Sequence, residues 1–101
     1  MLDAVVVTNE ISGISRPILA AGVRLQPDRV SGEPVLLYPE GLLFLNETAQ
    51  EVVRRLDGTA TVDAIVAALA EEYETDADTL LRDVLDCLAN LQRQRLIVLK
   101  P

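Results

Sequence analysis

Four groups of side chains in this sequence could do chemistry: the thiol of Cys87, the carboxylates of Asp76, Asp78, Asp83 and Asp86, the hydroxyls of Ser12, Ser15 and Ser31, and the arginines. Histidine is absent, which removes Ser-His-Asp and Cys-His catalysis, the Cys₂His₂ zinc site and the commonest general base together. Cys87 falls in an apolar stripe with Val84 and Leu91, where a thiol packs as a small hydrophobe and its pKa rises. It reads as structural. The four aspartates share one helical segment, largely on its outward side, and no Gly-containing calcium loop folds them around an ion. They read as a solvated face. A phosphopantetheine carrier needs a serine at a helix start, whereas all three serines lie upstream, in the tail and strand region. Gly41 and Gly58 are isolated, so no glycine-rich phosphate loop is present. The chain carries 16 acidic and 9 basic residues, a net charge of −7, with the arginines scattered. Phosphate-dominated binding needs a positive footprint, so nucleic acid is disfavoured as a partner. Nothing assembles a nucleophile, a base and an oxyanion donor, so no enzyme, catalytic residue, metal or cofactor is expected.

Function must then come from surfaces, which depend on how the chain is built. At 101 residues one domain is expected, with a core but no room for a deep substrate cavity as well. Half the residues are hydrophobic, yet only Tyr38, Phe44 and Tyr73 are aromatic, so Leu, Val, Ile and Ala must form the core. No apolar run approaches the roughly 18 residues of a membrane span. One cysteine excludes an internal disulfide. The segment Met1 to Thr8 has an acid where a secretory signal needs positive charge, and its apolar run is too short. A cytosolic protein without membrane contact is the expectation.

Residues 1–15 give no lasting pattern and read as a flexible tail, although Val5 to Val7 could pair as a short strand on this chain or on a second copy. The domain is expected over residues 16–101. Gly22 to Gln26 alternates like a half-buried strand that Pro27-Asp28 closes. Next come two apolar runs around a Pro39-Glu40-Gly41 turn, Val35 to Tyr38 and Leu42 to Leu45. Neither alternates, so both faces of this hairpin need cover. Asn46 caps a first helix that ends at Asp57-Gly58. Thr61 caps a second, whose stripe is Val62, Ile65, Val66, Leu69 and Tyr73. Thr75 and Asp78 have the spacing of a capping box for a third, longer helix. Its apolar positions, from Ala77 through Leu91, sweep roughly 160° at 100° per residue, wider than one core contact needs. One border of this helix is therefore spare. Leu96 to Leu99 reads as a terminal strand or an extended tail on the core.

Helices of this size can cover one face of the hairpin, which leaves the other face, or an open strand edge, for a partner. An extended peptide could add itself there as a strand. Burial within the fold or in a homodimer is the competing use of those surfaces. The helix order also permits a winged-helix DNA-binding protein, which the charge opposes.

The order and spacing of several short motifs carry a resemblance. They are Arg16-Pro17, Gly22-Val23-Arg24-Leu25, Val35 through Gly41, Leu45-Asn46, Asp57-Gly58, Thr61 through Val66, Asp83-Val84 and Leu96-Ile97. Together they resemble the pyrroloquinoline quinone (PQQ) biosynthesis protein D (PqqD) family, the recognition element of ribosomally made, modified (RiPP) peptides. The resemblance implies an α+β fold of winged-helix type, a small three-stranded antiparallel sheet packed on a three-helix bundle. It implies a non-catalytic peptide chaperone that binds the leader of a PqqA-like precursor by strand addition. The precursor would be presented to a PqqE-like radical SAM enzyme, which carries the iron–sulfur clusters. Another ribosomal-peptide modification pathway is the alternative. Carried onto this sequence, the peptide-binding groove would lie between Leu42, Leu43, Phe44 and Leu45 on the strand and Leu81, Arg82, Leu85 and Leu88 on the third helix. The chain departs from the family pattern in two places: Arg95 stands where a glycine is common, and Cys87 near where an aromatic is often found.

Overall fold

A computed structural model describes residues 10–101. The expected strand at Val5 to Val7 and most of the expected tail lie outside the described residues. Strands β1 (Arg16–Leu19), β2 (Arg24–Pro27), β3 (Pro34–Tyr38) and β4 (Gly41–Phe44) precede helices α1 (Glu47–Arg54), α2 (Val62–Tyr73) and α3 (Ala77–Arg93), and β5 (Ile97–Lys100) ends the order. Strands β2, β3 and β4 form an antiparallel meander. β1 and β5 pair antiparallel in a second sheet, with Arg16 opposite Lys100 and Leu19 opposite Ile97. The α+β fold has the expected three helices and three-stranded sheet. The β1–β5 ribbon adds to it, because Arg16 to Leu19 is too short to show a period before its partner at the far end of the chain is known. No helix among the described residues is long and apolar enough to cross a membrane.

One core joins the layers. Leu36 from β3 meets Val52 and Val53 from α1, Ile65 and Leu69 from α2, and Val84 and Leu88 from α3. Leu36 is fully buried, with Leu25 and Leu43 opposite it on the flanking strands and partly buried against the same cluster. Truncating such a side chain to Ala costs about 2–5 kcal/mol through lost transfer energy and the cavity left behind. This cross-strand row fixes which face of β4 looks into the protein.

The helix ends are set by local hydrogen bonds. The Asn46 side chain accepts from the Ala49 N–H at 2.8 Å, and Thr61 Oγ1 accepts from the Ala64 N–H at 3.1 Å, as the two expected caps require. The start of α2 is further satisfied from residues on the tail side of Arg16: the Val62 and Asp63 N–H groups donate to the carbonyls of Ser15 and Gly13 at 2.9 and 2.8 Å. The expected Thr75/Asp78 box is not the cap of α3. Asp76 is, its carboxylate accepting from the Thr79 N–H at 3.0 Å. The physical reason is that Thr75 is used to close the C-terminal end of α2. Its N–H donates to the Ala70 carbonyl at 3.2 Å, around Glu74 in the left-handed region, so α3 starts one residue later.

At the other end of α3 the backbone makes a Schellman turn. Leu96 N–H donates to the Leu91 carbonyl and Arg95 N–H to the Gln92 carbonyl, both at 2.9 Å, with Arg95 at φ 62°. Leu91 and Leu96 are both buried, so the turn delivers the chain directly into β5. Arg95 thus occupies a left-handed position that glycine fills without steric cost. Gly58, at φ 78°, has a second constraint: a Cβ there would meet Lys100 Cγ at 3.1 Å and Ile18 Cδ1 at 3.3 Å.

Candidate functional site

The site is built from the outer edge of β4 and one border of α3. The two-residue turn Pro39-Glu40 closes on Tyr38 and Gly41, so that pair exchanges main-chain hydrogen bonds, and Leu36 and Leu43 do so two residues on. Val35 and Leu37 bond the other way, to β2, in step with the Asp28 N–H that donates to the Glu33 carbonyl at 2.8 Å. Leu42 and Phe44 therefore turn their N–H and C=O groups away from β3. Among the described residues no strand pairs with that edge of β4. It is an unfilled backbone ladder of the kind that strand addition uses.

Beside this edge lies an open groove of about 440 Å³ between β4, the start of α1, and α3. Leu43, Leu45 and Ala49 line it with Cys87 and Leu91, and Asp83, Asp86 and Asn90 reach it from the helix. The rotation of α3 explains this set. The buried residues Leu80, Val84, Leu88 and Leu91 occupy a middle band of about 80°. Cys87 lies just past one border of that band, with Asp83 and Asn90 beyond it, whereas Leu81 and Leu85 lie past the other border. Burial raises the Cys87 thiol above its ordinary pKa, so the groove floor is neutral and apolar at physiological pH. On the opposite face of β4, Leu42 is 43 % and Phe44 65 % exposed.

The expected site residues divide accordingly. Leu43 and Leu45 line the groove, which Phe44 also borders, while the side chains of Phe44 and Leu42 alternate onto the exposed face of β4. Leu88 is fully buried in the core. Leu81, Arg82 and Leu85 line a second depression with Asp78, on the other border of α3, which meets the groove at Asp86. These three side chains are not among those that line the groove beside β4. Apolar width alone shows that a border of α3 is spare; the packing of α3 decides which border faces the sheet. From α3 the groove is lined instead by Cys87, Asp83 and Asn90, which the sequence reading did not group with β4. A signal was present in the 100° rotation, which groups Cys87 with Asp83, Asp86 and Asn90 as one side of the helix.

Residues 33–97, which hold β3, β4 and all three helices, match the family model described as coenzyme PQQ synthesis protein D (PqqD). A protein of Xanthomonas oryzae pv. oryzae called PqqA binding protein is 43 % identical over 89 residues, covering 88 % of this chain and 97 % of its own. A namesake from Xanthomonas axonopodis pv. citri is 42 % identical over 90 residues, covering 86 % of this chain and 98 % of its own. Among solved structures, the PqqD truncation of Methylobacterium extorquens PqqCD superposes with a TM-score of 0.77 at 36 % identity, over 87 % of this chain and 94 % of that one. That protein is described as a functional, stand-alone RiPP recognition element. PqqD of Xanthomonas campestris superposes with a TM-score of 0.55 at 42 % identity, over 85 % of this chain and 96 % of that one. With the strand–helix groove inside the matched segment, and near-complete coverage of relatives well above 30 % identity, this chain belongs to the PqqD family.

Proposed function

We propose that this protein is a non-catalytic adaptor of PQQ biosynthesis that captures the leader of a PqqA-type precursor peptide as an added strand on β4. The observation that carries the reading is the outward pair of main-chain groups on Leu42 and Phe44 beside an apolar groove on α3. Main-chain bonds to those groups supply register, and side chains that alternate along the added strand fall into the groove or onto Phe44. The strand half of the site is Leu42, Leu43, Phe44 and Leu45, and the helix half is Asp83, Cys87 and Asn90. Leu81, Arg82 and Leu85, on the opposite border of α3, are left for a different contact. The captured peptide would pass to its modifying enzyme, on the family resemblance a radical SAM protein.

The test is a titration of ¹⁵N-labelled protein with a synthetic PqqA peptide from Xanthomonas oryzae. Amide shifts concentrated at residues 42–46 and 83–91 are expected. Shifts confined to residues 78–85, with β4 silent, would place the peptide on the wrong border of α3 and end this reading.

A further inference from the structure

The groove is not only apolar. Asp83 and Asp86, one helical turn apart, form its helix-side rim, and no cationic side chain lines the groove itself, Arg82 lying with Asp86 on the adjoining depression. Neither carboxylate takes part in an ion pair among the described residues. By contrast, Glu51 on α1 is held by Arg54 and Arg55, and Glu72 by Arg55 at 2.8 Å. Floor and rim present two demands to one visiting side chain. The floor, Leu43, Leu45 and Cys87, asks for methylenes, and the rim asks for a positive charge about one helical turn long in reach. Lys and Arg meet both, because they lay an apolar stem on a surface while the head reaches a carboxylate. An acidic side chain at the same place would meet two like charges.

We infer that the segment captured on β4 is a basic one, with a Lys or Arg side chain that crosses the groove floor and ends between Asp83 and Asp86. This rests on the strand-addition reading above and adds to it the chemistry of the occupant. The protein's net charge of −7 acts in the same direction at long range, drawing a cationic peptide and repelling acidic ones. A second copy of this equally acidic chain is a poor occupant for the same reason. Asp83 and Asp86 are then specificity residues, and Leu42 and Phe44 are the generic part of the site.

The experiment compares the parent protein, Asp83→Asn/Asp86→Asn and Phe44→Pro, each titrated with the synthetic PqqA peptide of Xanthomonas oryzae at low and high salt. Asparagine keeps the size of each side chain and both positions are exposed, so folding is not at risk. The doubly neutralised protein is expected to bind roughly tenfold more weakly at low salt, as loss of charge-assisted contacts predicts, and to converge on the parent at high salt. Equal affinity of parent and doubly neutralised protein at low salt, with binding still weakened in Phe44→Pro, would overturn the charge inference and leave strand addition standing. Unchanged binding in both variants would overturn the two together. A parent protein that sediments as a dimer and stays dimeric at saturating peptide, with unchanged amides on β4, would assign the groove to a second copy and overturn the inference as well.

Discussion

Phe44 offers a test in which one backbone donor is removed and little else changes. Its N–H points away from β3, so replacing it with proline deletes no bond of the β3–β4 ladder. The residue before it, Leu43, is already extended, as a residue before proline prefers. The Phe44 side chain is 65 % exposed, so its loss removes little core packing. Phe44→Ala is the control, because it removes the ring and keeps the N–H. An added strand would lose one hydrogen bond and leave its own carbonyl unpaired against the proline ring, at a cost of about 1–3 kcal/mol. At 25 °C that is a loss of about fivefold to 150-fold in affinity beyond whatever Phe44→Ala costs. Isothermal calorimetry with the PqqA peptide measures the difference, and the amides of Gly41 and Leu43 report whether the hairpin is intact. Equal affinities of the proline and alanine variants, with the hairpin intact, would refute the claim that the β4 backbone is the docking element.

Three further perturbations follow from the geometry. Cys87→Arg should fill the groove floor and weaken peptide binding at least tenfold, an estimate equivalent to about 1.4 kcal/mol, whereas Leu85→Ala should leave affinity unchanged in the same titration because it lies on the other border of α3. Arg95→Gly should relieve the left-handed strain at the end of α3 and stabilise the protein by about 1 kcal/mol, read as a rise of a few degrees in thermal midpoint. Asp57 and Asp76 have pKa values lowered chiefly by backbone N–H donors, of Ala60 and Thr79 respectively. A carboxyl whose pKa is lower in the folded than in the unfolded chain contributes stability above its ordinary value near 4, and that contribution fades as the pH falls through the lowered value. Urea midpoints should therefore separate Asp57→Asn/Asp76→Asn from the parent at pH 6 and bring the two closer at pH 3.

Much of the architecture is legible in the sequence because its causes are local. Asn46 and Thr61 are polar residues at helix starts whose side chains reach the N–H groups three residues on, and their place just before an apolar stripe at helical spacing reveals them. The Pro39-Glu40-Gly41 turn and the two apolar runs beside it are likewise a local signal, and they become β3 and β4. Leu96 to Leu99 is legible as a terminal strand and overlaps β5, but β1 and its pairing with β5 are not, since the partners lie some 80 residues apart and β1 is only four residues long. The cap of α3 is displaced by one residue because the end of α2 takes Thr75, a competition between neighbouring helices that no single spacing reveals. The site is half legible for a related reason. Leu42 to Leu45 follow from their run of apolar residues, but the helix half depends on the rotation of α3, which Leu36 and the rest of the core decide through contacts distant in sequence.

Amide hydrogen exchange at Leu42 and Phe44, with and without the PqqA peptide, bears most directly on the docking edge. These two N–H groups should exchange fast in the free protein, while those of Gly41 and Leu43 in the ladder are slow, and they should become slow at saturating peptide. Protection of Leu42 and Phe44 already in the free protein, or continued fast exchange in the complex, would contradict the account.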